Sequence, residues 1–380
     1  MAHCNTIFHQ MLKLIPRHHF AKLETQHSTG RKPRSFTRWS QLVYLISMQL
    51  TARASLRDGV SSLKARIKNL YHLGVQPVAR STFSDANNQR PASFFEALFA
   101  LMYRRCQPLA PRHKFRFKNK LFSLDATVVS LCLSLFPWAR FRRTKGGLKL
   151  HTLLDHDGYL PAFVAISEAR EHEVHRARSL SLPKGSIVVE DMGYADYDRY
   201  AQLTAQKIFF VTRQKRNARF EVLERRKVNK KQGLLSDQTI RLKACPISLR
   251  RIAYRDAATG RRYVFLTNHF KLAAKTIADI YKERWQIEIF FRFIKQNLKI
   301  KAFIGNSENA VLSQIYAALI VYLLLSYTKF LCNLNVTLQN LTRVLQLNLF
   351  RTCPLQELFE PPGPAPNNIN LNNQLTLTWA

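Results

Sequence analysis

Apolar positions recur at helical spacing through the first third of the chain and alternate after it. The stretch RWSQLVYLISMQL carries apolar residues every three to four positions, and SLRDGVSSLKARIKNLYHLG repeats the pattern until Gly74, a predicted C-cap. RSTFSDANNQRPASFFEALFALMYRR follows, with Ser81 as a predicted N-cap, a break at Pro91 and a further amphipathic helix. Residues 1–115 are therefore expected to be helical. The short turn beside Arg80 and Arg90 suits a helix-turn-helix-like DNA reader, and equally an ordinary bundle with a basic surface.

From about residue 118 the period changes to strands. KLFSLDATVVSLCL is β-branched and apolar around one acid, Asp125. GLKLHTLLD and LPAFVAISEA read as a hairpin turning at Gly158. A helix is predicted at about 172–180, then the short apolar strand GSIVVED, a helix at about 196–206 and the strand KIFFVTRQK. Three strands, helix, strand, helix, strand is the order of a ribonuclease-H-like α/β core. On this reading, residues 1–115 form a helical DNA-binding domain and 116–213 the first part of the core. Residues 214–270 are a basic β-rich insertion, 271–350 the catalytic helix and C-terminal core helices, and 351–380 a Pro- and Asn-rich disordered tail. The apolar run Ile315–Leu325 is too short to span a bilayer and is expected as a buried core helix. The first residues lack a continuous apolar segment, so no signal peptide is expected, and the expected location is cytoplasmic, at the nucleoid.

Charge narrows the partners. Of 380 residues, 59 are Lys or Arg against 24 Asp or Glu, a formal net charge of +35. A polyanion is the natural ligand, because each neutralised phosphate releases a condensed counterion. Residues 1–120 hold 21 basic against 4 acidic residues and residues 207–265 hold 17 against 4, so the acids concentrate elsewhere. Six scattered cysteines without C-x2-C spacing suggest reduced thiols rather than zinc ligands.

Acids inside apolar strands are costly unless paired or bound to metal. Asp125 lies in SLDATV and Asp191 ends SIVVED; side by side in the sheet, their carboxylates would face each other. Glu190 competes with Asp191, since neighbouring strand residues point to opposite faces. Asp196 and Asp198 suit a helix N-terminus.

The segment YKERWQIEIFFRFIKQNLKI adds a third acid. At about 100° per residue, Tyr281, Arg284, Glu288 and Lys295 fall within about 60° of one another on a helix, with Arg292 and Trp285 at the stripe's margin. Ile280, Ile287, Phe291, Ile294 and Leu298 form the apolar face. A solvated salt-bridged helix face has the same pattern. Three carboxylates without His or Cys favour a hard cation, Mg²⁺ with Mn²⁺ as substitute, and two such ions could drive an in-line displacement at phosphorus.

The spacing Y-x2-R-x3-E-x6-K, with SLDATVVSL, DMGYAD and FPWARFRRTKGGLKLHTLLD, resembles the DDE transposases of bacterial insertion sequences, the Y-R-E-K group of the insertion-sequence "four" family. Met192 stands where that family has Arg. The resemblance implies cut-and-paste transposition: dimeric synapsis of terminal inverted repeats, metal-dependent nicking, and joining to target DNA. It implies Asp125, Asp191 and Glu288 as catalytic metal ligands, and Tyr281, Arg284 and Lys295 as phosphate contacts. Trp285, Arg292, Arg213, Arg216, Lys149 and Arg80 are further candidate DNA contacts. A ribonuclease-H-like nuclease without strand transfer, or an inactive DNA-binding protein, are the alternatives.

Overall fold

A computed structural model of the chain describes residues 5–28, 33–142, 145–168, 180–243, 245, 247–298, 300 and 302–359. The helix expected at 172–180 and the tail from residue 360 lie outside the described residues, apart from Leu180, which is not helical.

The N-terminal third is helical: α1 (Ile7–Leu12), α2 (Arg17–Gln26), α3 (Arg38–Leu50), α4 (Leu56–Lys64), α5 (Ile67–Leu73), α6 (Arg80–Gln89) and α7 (Ser93–Cys106). Helix α3 is buried along its whole length, and α5 ends at Gly74 in the left-handed conformation that a glycine cap provides. Helix α6 begins at Arg80, one residue before the predicted cap Ser81; Ala79 flanks it without a side-chain cap.

The sheet follows: β1 (Leu121–Leu131), β2 (Arg140–Arg142), β3 (Lys145–Asp155), β4 (Leu160–Glu168), β5 (Ile187–Glu190) and β6 (Phe209–Arg213), with α8 (Tyr197–Ala205) between the last two. β1 pairs antiparallel with β3, which pairs antiparallel with β4 and, at its start, with β2. On its other side β1 pairs parallel with β5, and β5 parallel with β6. The order β4-β3-β1-β5-β6 is that of a ribonuclease-H-like core.

The basic segment contributes β7 (Phe220–Arg226), β8 (Leu234–Leu242), β9 (Ser248–Arg255) and β10 (Arg262–Thr267). These strands extend the core sheet rather than standing apart from it: β10 pairs antiparallel with β6, and the row continues β10-β9-β8-β7. The sheet contains ten strands among the described residues.

The C-terminal helices are α9 (Ala274–Glu283), α10 (Trp285–Gln296), α11 (Glu308–Leu331) and α12 (Leu338–Asn348). Helix α11 is long and apolar enough to cross a membrane, longer than the run Ile315–Leu325 suggested, and its most apolar window is 94% buried inside the protein. It packs against α3, α6 and α7, so one apolar core joins the N-terminal helices, α10, α11 and one face of β1, β3 and β4. Residues 351–359 are ordered rather than part of a loose tail: Thr352 bridges Thr6, and Cys353 and Leu355 are buried.

Candidate active site

Asp125 and Asp191 reach the same place because of strand register. β1 and β5 run parallel with Leu124 opposite Glu190, so each acid follows the last paired residue of its strand. Alternation puts Asp191 on the face of Ile187 and Val189, which pack on α9, and Glu190 on the other. There Glu190, fully buried, pairs with the Arg199 guanidinium of α8. The two adjacent acids therefore have different work, and Glu190 is committed to a structural ion pair. Asp196 caps α8 by accepting from the Asp198 amide at 3.2 Å.

The expected continuous helix is two helices meeting at Arg284. The Arg284 amide donates to Tyr281 O at 3.2 Å and the Ile287 amide to Arg284 O at 3.1 Å, both i→i−3 bonds that tighten the turn. The resulting offset aims Arg284 inward. Its Nη1 donates to Asp125 Oδ2 at 2.6 Å and stands 3.6 Å from Glu288 Oε1. From the preceding turn the Tyr281 hydroxyl donates to Asp191 Oδ1 at 3.2 Å, and at the far end Lys295 Nζ donates to Thr127 Oγ1. Thr127 lies two residues beyond Asp125 on the same strand face; that alternation was the available signal for it. Ile280, Ile287, Phe291, Ile294 and Leu298 are all buried, as the periodicity predicts.

Burial pushes the Asp125 carboxyl up to about 6; Arg284 pulls it down, while the Glu288 and Asp191 charges push it further up. Burial, followed by the Asp191 charge, pushes the Tyr281 phenol up to about 12, so it stays a donor at neutral pH. The three acids are thus near enough to feel one another and offer only oxygen, a donor set that fits a hard divalent cation. Among the described residues no three His, Cys, Asp or Glu side chains converge as a ready-made metal cluster. Arg284 takes the space between Asp125 and Glu288.

A cavity of about 330 Å³ opens beside Arg284, lined by Arg213, Tyr263, Phe265, Tyr281 and Trp285 among others. Arg213, at the end of β6, stacks over Tyr263 at 5.5 Å. Trp285 is 55% exposed and lines this cavity beside residues of the β-rich segment. The aromatic wall from β10 was missed, because strand positions 263 and 265 carry no signal until that strand is known to pair with β6.

Other candidates lie elsewhere. Lys149 pairs with Val128 and so faces away from Asp125, whose partner is Thr152. Arg292 is exposed and lines a second cavity of about 500 Å³ with Gln286 and Phe293, because it sits on the far margin of α10. Arg216 is exposed beyond β6, and Arg80 is exposed at the start of α6. Arg90, the other cation beside that turn, donates to Phe36 O and to Thr37 O, and is a structural group.

The family described as "Transposase DDE domain" matches residues 116–324, and one described as "Domain of unknown function (DUF4372)" matches residues 3–76. A protein of Sinorhizobium fredii named as a transposase, y4zB, is 32% identical over 78% of this chain and 83% of its own. A protein of Geobacillus stearothermophilus named as the transposase for insertion sequence element IS5377 is 32% identical over 65% of this chain and 66% of its own. A cryo-EM structure of a piggyBac transposase synaptic complex with hairpin DNA aligns with a TM-score of 0.45 and 11% identity, over 93% of this chain and 80% of that one. With the transposase DDE domain family matching more than half of its length, and the Sinorhizobium relative 32% identical along most of it, the chain belongs to the DDE transposases.

Proposed function

We propose that this chain excises and inserts a DNA element by cut-and-paste transposition, with Asp125, Asp191 and Glu288 as its catalytic carboxylates. Enzymes of this class use divalent metal ions. Here the three acids would hold two Mg²⁺ ions, replaceable by Mn²⁺, which supply Lewis acidity at the attacking and leaving oxygens of the phosphodiester. The observation that carries the reading is the Arg284 guanidinium lodged between Asp125 and Glu288, with Tyr281 bonded to Asp191. One cation and one phenol among three acids is an arrangement that can trade its internal bonds for a DNA phosphate.

In that role Arg284 and Lys295 grip the phosphates flanking the scissile bond through charge-assisted hydrogen bonds. Tyr281 donates from the buried side. Arg213 and Trp285 form a wall on which an unpaired base can stack. The basic surface of residues 1–120, Arg80 included, and of residues 214–270, Arg216 included, neutralises the backbone of terminal repeat and target DNA. The working species is a dimer holding two ends, in the cytoplasm at the nucleoid.

The test uses linear duplexes carrying the sequences that border this reading frame. Purified full-length protein should nick them in Mg²⁺ or Mn²⁺, stop when a chelator is added, and join the cut strand to a plasmid. Nicking without joining would favour a nuclease, and binding without nicking an inactive DNA-binding protein.

A further inference from the structure

Arg284 owes its place to a neighbour that the mechanism does not use. Glu283 is the last residue of α9 and only 6% exposed. Its Oε1 accepts from the Tyr159 hydroxyl at 2.8 Å and from Gln286 Nε2 at 3.2 Å, and its Oε2 pairs with Lys114 Nζ. Both ends of the helix break are thus tied to one carboxylate: Glu283 precedes Arg284 and Gln286 follows Trp285.

Tyr159 is itself fixed. It is a non-glycine residue at φ 54°, after Gly158 at φ 67°, in the tight turn between β3 and β4. A Cβ at Gly158 would meet Phe330 at 2.7 Å, so the turn is held against α11 as well as bent. The Tyr159 carbonyl accepts from the Tyr322 hydroxyl at 2.9 Å, and the Tyr322 ring packs edge-on against Phe290 and Phe293 of α10. In the same turn His156 Nε2 meets Ser123 Oγ at 2.7 Å, two residues before Asp125 on β1. The contacts close a circuit: Asp125 on β1, Ser123, His156, Tyr159, Glu283, Arg284, and back to Asp125.

The geometry points to Glu283 as a positioning residue, clamped by Tyr159 and Lys114, that sets the break between α9 and α10 and so aims Arg284 at Asp125 and Glu288. It rests on the transposase reading. Glu283 is not a fourth metal ligand, because both its oxygens are taken by donors of this chain.

The experiment compares the full-length protein with Glu283→Ala, Glu283→Gln and Tyr159→Phe. Readouts are binding and single-turnover nicking of the bordering duplexes in Mg²⁺, thermal melting, and fluorine spectra of protein labelled with 5-fluorotryptophan, Trp285 being assigned by Trp285→Phe. Misaiming the guanidinium by about an ångström should slow nicking per folded molecule about ten- to hundredfold in Glu283→Ala and less in Tyr159→Phe, with duplex binding, carried mainly by the wider basic surface, reduced far less than nicking. Glu283→Gln keeps an acceptor for Tyr159 and should recover most of the rate. The Trp285 resonance should shift in the first and third variants while those of Trp39 and Trp138 stay. A Tyr159→Phe protein that nicks at the parent rate with an unmoved Trp285 resonance overturns the inference, whether or not Glu283→Ala folds. If the parent itself never nicks, the transposase reading fails, and the Trp285 resonance still decides the positioning.

Discussion

Arg284 and Asp125 stand 159 residues apart in sequence and share a 2.6 Å hydrogen bond between two side chains each 15% exposed. The guanidinium is a partner for a largely buried acid, not an arm waving over the surface. Arg284→Ala should therefore lose nicking and also about 1–3 kcal/mol of stability, since it leaves a desolvated carboxylate without its donor. A stripe that only faced solvent would leave stability untouched. Melting and nicking measured on the same preparation separate the two; an unchanged melting temperature would sink the coupling.

Glu190 and Asp191 should part company under substitution. Removing Glu190 breaks its fully buried ion pair with Arg199 and should cost about 3–5 kcal/mol. Among the described residues Asp191→Ala loses the side-chain bond from Tyr281, and it should stay folded while abolishing nicking. Chemical denaturation alongside the nicking assay decides; normal nicking by Asp191→Ala would reassign the acid on that strand.

The N-terminal helices share their core with α11, which packs on α3, α6 and α7. A fragment of residues 1–115 should therefore be poorly folded by circular dichroism, whereas the whole chain binds DNA. That binding should weaken steeply with salt, on the order of 10³-fold or more between about 50 and 200 mM if six or more phosphates are neutralised. Salt-independent binding would remove the electrostatic reading of the basic surface.

His156 makes stability depend on acid. Burial is the main cause holding its imidazole down at about 4, against an ordinary value of 6.5. Between those values the unfolded chain binds the proton and the folded chain does not. Stability is therefore complete above pH 6.5 and falls as pH drops towards 4, by about 3 kcal/mol in all. Denaturation curves across that range should show the slope, and His156→Asn should flatten it. A slope unchanged by that substitution would place the acid sensitivity elsewhere.

Phe291 and Ile294, 4% and 1% exposed, test the opposite face of α10. Alanine at either should cost about 2–5 kcal/mol through the cavity left behind, with nicking per folded molecule unchanged. A change in nicking without a change in melting would mean that the two faces had been misread.

What the sequence made legible followed from local pattern. An acid in a β-branched run places Asp125 in a strand, and period 3.6 separates the buried Ile287, Phe291 and Ile294 from the polar side of α10. The turn at Gly158 follows from the alternation on either side. The break at Arg284 was not legible, because both neighbouring segments favour helix and no Pro or Gly marks the junction; Tyr159, Lys114 and Gln286 meet Glu283 there only in three dimensions. The face that Lys149 takes was not legible for a similar reason. Its alternation with His151 is visible, but which face it takes depends on the register with β1, set by 10 residue pairs across the sheet.

The long sheet also has a waist. β1 and β3 are joined through 10 residue pairs, and β9 and β10 through 6, yet β5 with β6 and β6 with β10 share only 3 each. Mechanically, the broad plates on either side meet at a narrow strap, and β6, which ends at Arg213, is that strap. Bending between the basic strands and the acid-bearing strands would concentrate there, where three residue pairs on each side resist it. Load from a polyanion seated on the outer plate would be felt first at Arg213 and the aromatic wall beside Arg284.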